Sequence, residues 1–241
     1  MRLLLIALRF LTIFPWPKGL AFGPEEVARS TPFFPVVGAF IGFVLVLLNQ
    51  LLDPYLASEV LSVALVTVMV LMTRAAPIIG LGKTFDALIQ KGEPGTTTDS
   101  LEDNRAGLAA VIAVLMMVMF KVRAIEVMGE ARSQGLLLAP TLGCWAMSVL
   151  AYGSRSANTE QKGIAVEEVK GRHIALATVL TVALVVFFSG REGLWITLWV
   201  SLSTILIRAY LCRRQGGLTR HSLGMAGDFN ETLALVLFAS L

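Results

Sequence analysis

The chain has 241 residues, 56% of them hydrophobic and 15% charged, with a mean hydropathy of +0.74. A soluble domain carries about 25% charged residues, so this composition excludes an ordinary soluble globular fold and indicates a polytopic membrane protein. The formal charge is only +3 and no basic run is long enough to engage nucleic acid, which removes nucleic acid from the expected partners and leaves the lipid bilayer.

Residues 2–14 are apolar but short for a span, which needs about 20 residues. They read as an interfacial or re-entrant helix stopped by Pro15 and Pro17. No small-residue cleavage site follows them. Continuous apolar runs then predict spans over 33–52, 56–72, 106–120, 136–152, 174–188, 194–210 and 223–241. Runs of this length cannot be barrel strands. The expected fold is therefore all-α: a polytopic membrane helix bundle of about seven transmembrane helices plus the short N-terminal helix, forming a single integral membrane domain over residues 1–241. Cys144 and Cys212 lie in or beside apolar runs, without metal-ligand spacing, and read as small buried hydrophobes. The sequence leaves an oligomer possible.

Seven spans divide the basic residues unevenly. The N-terminal segment, the 73–107 stretch, the 153–173 loop and the 211–222 loop together hold 15 Lys and Arg, against 4 (Lys121, Arg123, Arg132 and Arg191) on the opposite side, with Arg208 inside a span. The positive-inside rule puts the 15-residue side in the cytoplasm, with the protein in the cytoplasmic (inner) membrane.

The 73–107 stretch, read as a polar loop between two spans, concentrates Asp86, Asp99, Glu102, Asp103 and Arg105 with Lys83 and Lys91. Such a density of polar groups in so apolar a chain marks it for ligand chemistry. Lys83 and Asp86 are three residues apart and share a helical face, so they are expected to pair. Asp103 has a second reading as a helix N-terminal acid. Asp228 and Glu231 are also three apart, inside the last apolar run, where a carboxylate is costly unless paired or hydrated. They either form ion pairs, with Arg208 or Arg105, or line a polar cavity open to the cytoplasm. The glycine-rich 216–224 segment, with Gly216, Gly217, Thr219 and Arg220, has the composition of a phosphate-binding turn. Asp86, Asp103, Asp228 and Glu231 are expected to converge on one cytoplasm-facing cavity.

Four stretches in order resemble the cobalamin synthase (adenosylcobinamide-GDP ribazoletransferase) family: FLTIFPWP at 10–17, FPVVGAFIG at 34–42, LEDNRAG at 101–107 and GGLTRHSLGMAGDFNE at 216–231. The resemblance covers almost the whole chain. It implies a membrane transferase that joins adenosylcobinamide-GDP to α-ribazole or its phosphate and releases GMP, with Mg²⁺ as cofactor and corrinoid and ribazole molecules as partners. It implies Asp86, Asp103 and Arg105 as catalytic residues. Asp86, Asp103, Asp228 and Glu231 would be metal ligands, and Lys83, Gly216, Gly217, Thr219 and Arg220 substrate-binding. The family's acidic signature would fall on PIIGLGKTFDA at 77–87, where Ile79 and Lys83 replace two of its three acids and Asp86 keeps the third. Two readings follow: an active transferase, or a catalytically impaired relative that binds a related ligand or supports a partner protein.

Overall fold

A computed structural model describes residues 1–14, 22–89, 107–155, 164–215 and 217–241. Among them the regular structure is helical, with no strand: α1 (Arg2–Leu11), α2 (Pro24–Ser30), α3 (Phe34–Leu52), α4 (Ser58–Met72), α5 (Ala76–Ile89), α6 (Leu108–Val127), α7 (Arg132–Ala151), α8 (Gly171–Gln215) and α9 (Arg220–Phe238). Four described segments are long and apolar enough to cross a membrane. A fifth qualifies if α4 and α5, bent by 85°, are one broken span. The chain is an integral membrane protein with an all-α bundle.

The bundle is built around α7, of whose most apolar stretch 83% is buried, against 22% for α8. Lipid tails are as apolar as leucine, so helices in a bilayer gain by close packing rather than by hiding apolar surface from water. Gly38 and Gly42, four residues apart on α3, supply the notch for α7. A Cβ added at Gly42 would stand 2.5 Å from the Leu137 carbonyl oxygen and 2.7 Å from that of Leu136. Pro140 denies the Leu136 carbonyl its helical donor, and that carbonyl faces Gly42. The α7–α9 contact repeats the device: a Cβ at Gly143 would lie 2.8 Å from the Gly227 carbonyl oxygen.

At one end of the bundle Arg132 ties four segments. Its guanidinium donates to the Ile125 carbonyl at 3.1 Å and the Glu126 carbonyl at 3.1 Å, to Ser58 Oγ, and to Asp53 Oδ1 at 3.3 Å. It thus satisfies carbonyls that α6 leaves open at its C-terminus.

Three features differ from the sequence reading. The 73–107 stretch is not a loop throughout: residues 76–89 form α5, turned from α4 by consecutive left-handed residues Arg74 and Ala75, both at φ 54°. Its glycines and Pro77 masked a helix whose buried face is made by packing. The fifth and sixth predicted spans lie in one element, α8, broken at Gly190 (φ 54°, ψ −130°). A straight helix of its 45 residues would run about 68 Å, more than twice a hydrocarbon core of about 30 Å. A Cβ at Gly193 would touch Val185 Cγ1 at 2.7 Å, although eight residues of straight helix separate such atoms by about 12 Å. The chain therefore turns back at Gly190, and α8 is a hairpin. Finally, α9 is helical as expected but too polar to count among the apolar spans; its acids Asp228 and Glu231 face protein.

Candidate functional site

The frame for the predicted residues is α5, α6 and α9, which pack on one another. Gly80 of α5 lets α9 approach: a Cβ there would lie 2.5 Å from the His221 carbonyl oxygen. Asp86 ends up beside the first turn of α6. Its carboxylate accepts from the Gly107 backbone N–H at 2.6 Å and from the Ala110 N–H at 2.9 Å. Gly107, the residue at the N-cap of α6, has no side chain to do this, so a neighbouring helix supplies the capping acid, which also complements the helix dipole. Asp86 thus caps the start of α6. Asp103, Arg105, Asp99, Glu102 and Gly216 lie outside the described residues.

Asp228 and Glu231 are brought together on one partner. Lys121 of α6, 1% exposed, donates to Asp228 Oδ1 at 2.6 Å and to Glu231 Oε1. Asp228 is itself only 2% exposed, and the Met69 sulfur of α4 lies 3.9 Å from the same ammonium. The ion-pair reading of the two acids holds, but the cation is Lys121. Arg208 instead donates to the Gly153 carbonyl at 2.7 Å. Lys121 is consequently not a loop charge, and the basic residues opposite the 15 fall from 4 to 3. In sequence, Lys121 directly follows the apolar run that ends at Phe120 and groups with the nearby charges Arg123 and Glu126 rather than with the span.

Asp86 and this ionic cluster are separate. Eleven residues of α6 divide Ala110 from Lys121, about 17 Å along the helix axis. The fit to Mg²⁺ can be judged from the cluster itself. Mg²⁺ takes oxygen ligands in near-octahedral geometry, whereas both carboxylates here bind one ammonium that stands where a divalent cation would sit. Asp228 Oδ2 is left buried without a hydrogen-bond partner, and one orphaned oxygen does not make an octahedral site. Among the described residues no group of three His, Cys, Asp or Glu could hold a metal ion. The described residues do not fit Mg²⁺.

The start of α9 is stiffly built. Thr219 Oγ1 accepts from the Ser222 N–H at 3.0 Å and Ser222 Oγ accepts from the Thr219 N–H at 2.8 Å, a reciprocal cap. Thr219 is therefore committed to the fold. Gly217 is buried and Leu218 N–H donates to the Arg155 carbonyl at 2.7 Å. Arg220 reaches over the Phe10 ring, 5.8 Å from its centroid. Burial, then Lys83, then Arg220 depress the pKa of His221 below its usual value. His221 is neutral at pH 7 and the cations around it define a positive end of the bundle.

These features define an all-α integral membrane protein whose last helix carries a buried acid pair and opens at a cationic face. The chain matches the family described as cobalamin-5-phosphate synthase over residues 3–239, and it belongs to that family. Relatives named adenosylcobinamide-GDP ribazoletransferase include one from Syntrophobacter fumaroxidans, 32% identical over 95% of this chain and 94% of its own. One from Pseudomonas entomophila is 33% identical over 96% of each chain. One from Geotalea daltonii is 28% identical over 100% of this chain and 98% of its own. No solved structure matches the chain.

Proposed function

We propose that this protein is an adenosylcobinamide-GDP ribazoletransferase acting in cobalamin biosynthesis. The observation that carries this reading is the family match over residues 3–239, end to end with relatives bearing that name. The reaction breaks the diphosphate bridge of the GDP-linked corrinoid. A ribazole hydroxyl attacks the phosphorus nearer the corrinoid, a new phosphodiester forms, GMP leaves, and the hydroxyl proton passes to water or to the departing phosphate. Catalysis of such a transfer rests on positioning and on neutralising phosphoryl charge. The cationic groups Lys83 of α5 and Arg220 at the start of α9 are suited to that neutralisation. Asp86 supports the step indirectly by fixing the start of α6.

The site faces the cytoplasm of a cell whose cytoplasmic membrane holds the protein. The 15 basic residues on the side of Arg74, Lys83 and Arg220 support this orientation. The second reading, an impaired relative that keeps the ligand, is favoured by Ile79 and Lys83 at two acidic positions of the family signature and by the capture of Asp228 and Glu231 by Lys121.

The deciding experiment is a turnover assay of protein reconstituted in lipid, with adenosylcobinamide-GDP and either α-ribazole or its phosphate, with and without Mg²⁺. GMP release matched by corrinoid product is expected. Substrate binding without GMP release would establish the second reading.

A further inference from the structure

Three arginines from distant parts of the chain line one pocket of about 320 Å³: Arg9, in the last turn of α1, Arg74, at the bend between α4 and α5, and Arg220, the first residue of α9. Phe10, Phe22 and the start of α2 complete the wall, and none of the described residues that line it is acidic. The nearby Glu26 is taken by Arg2 at 2.7 Å. Like charges around one space repel each other, and an anion held between Arg74 and Arg220 would offset that repulsion.

The local construction holds these charges in place. The Ile13 N–H donates to the Met72 carbonyl at 2.8 Å, which pins the end of α1 to the α4–α5 bend. At that bend Arg74 adopts φ 54°, a region that non-glycine residues rarely occupy and that tends to mark functional sites. The guanidinium of Arg9 lies 5.3 Å from the Phe22 centroid and that of Arg220 5.8 Å from the Phe10 centroid. Stacking on a ring orients the guanidinium plane, and the N–H edge then lies in that plane for a planar or tetrahedral oxyanion. The Arg74 side chain has no hydrogen bond or ion pair among the described residues.

We propose that this pocket binds a phosphate group, and that Arg74 and Arg220 hold it. The volume is at the lower end for small-molecule sites and suits a nucleoside phosphate rather than a corrinoid ring. The choice of nucleoside phosphates rests on the transferase reading; the phosphate site itself does not. Two sources carry the same chemistry, a substrate phosphate and a phospholipid headgroup.

The test uses the full chain in neutral-lipid nanodiscs. Calorimetry measures binding of GMP, α-ribazole 5′-phosphate, guanosine and α-ribazole to the wild type and to Arg74→Gln and Arg220→Gln. At least one phosphate is expected to bind the wild type ten-fold or more tightly than its nucleoside. Each variant should weaken that phosphate by about 10- to 100-fold, as expected on losing a charge-assisted contact. Arg74→Lys should fall between, because a lysine keeps the charge without the fork. Unchanged melting temperatures guard against misfolding; replacing the Arg74 side chain, which has no hydrogen bond or ion pair among the described residues, should leave them so. A short-chain phosphatidylglycerol that displaces both nucleotides, and is itself lost from the same variants, assigns the phosphate to lipid and keeps the site. Affinities within two-fold across all forms, or guanosine and α-ribazole binding as tightly as their phosphates, would overturn it. Unchanged kcat and KM in Arg74→Gln would remove the pocket from catalysis and leave the transferase standing. Arginine-dependent phosphate binding without turnover would do the reverse.

Discussion

At the scale of single residues, Lys121 shows how one side chain can settle the meaning of two others. Asp228 and Glu231 looked like ligands in waiting because carboxylates inside a bilayer are expensive. With Lys121 between them they form an internal ionic cluster. Removing one partner of a buried pair typically costs about 3–5 kcal/mol, because the other is left uncompensated. Lys121→Met should therefore lower the melting temperature in detergent sharply. The triple variant Lys121→Met, Asp228→Leu, Glu231→Leu should recover most of that loss, since apolar replacement of a whole cluster is often neutral or stabilising. If the triple variant is stable yet inactive, the acids serve turnover as well as packing. Asp86 makes a second, local case. Asp86→Ala removes an acceptor from two N–H groups of α6 and should cost about 1–2 kcal/mol, as lost caps do. Hydrogen exchange at the Gly107 and Ala110 amides should speed up while the far end of α6 is unchanged.

At the scale of helices, the α3–α7 seam is the firmest element of the fold. The GAFIG run at 38–42 was legible as part of a motif, but its packing meaning was not, since a glycine pair signals a notch only once its partner is known. Gly42→Leu would drive a side chain into the α7 backbone at Leu136 and Leu137. The expected result is loss of the folded, monodisperse protein on size exclusion, whereas Phe40→Leu, on the exposed side of the same helix, should be tolerated. The helices themselves were readable, because apolar runs of the right length leave little choice in lipid. What escaped sequence reasoning was everything set by a bend: α5, whose glycines and Pro77 suggested a loop, the Gly190 hairpin, and Arg74, whose place beside Arg9 and Arg220 depends on two left-handed residues that no pattern announces. Asp86 stood out in the sequence, but its donors belong to another helix and could not be read from neighbours in sequence.

For the molecule as a whole, the charge distribution predicts one orientation. Accessibility labelling in intact cells or inverted vesicles should place Lys91 and Lys162 on the same face as Arg220, with Arg191 opposite; labelling of Lys91 and Lys162 from opposite faces would reject that topology. The Lys121 cluster also has a consequence in time. The chain is made from its N-terminus, and Asp228 follows Lys121 by 107 residues. At about 5–20 residues per second, α6 waits for its counter-ions for roughly 5–20 s. During that interval it presents an ammonium that costs about 2.5–3.5 kcal/mol at a helix centre. The newborn α6 is thus a provisional tenant of the bilayer, kept near the insertion machinery or leaning towards the headgroups until α9 is delivered. A nascent chain halted before Asp228 should leave residues around Lys121 open to aqueous thiol reagents, and release of the complete chain should close them.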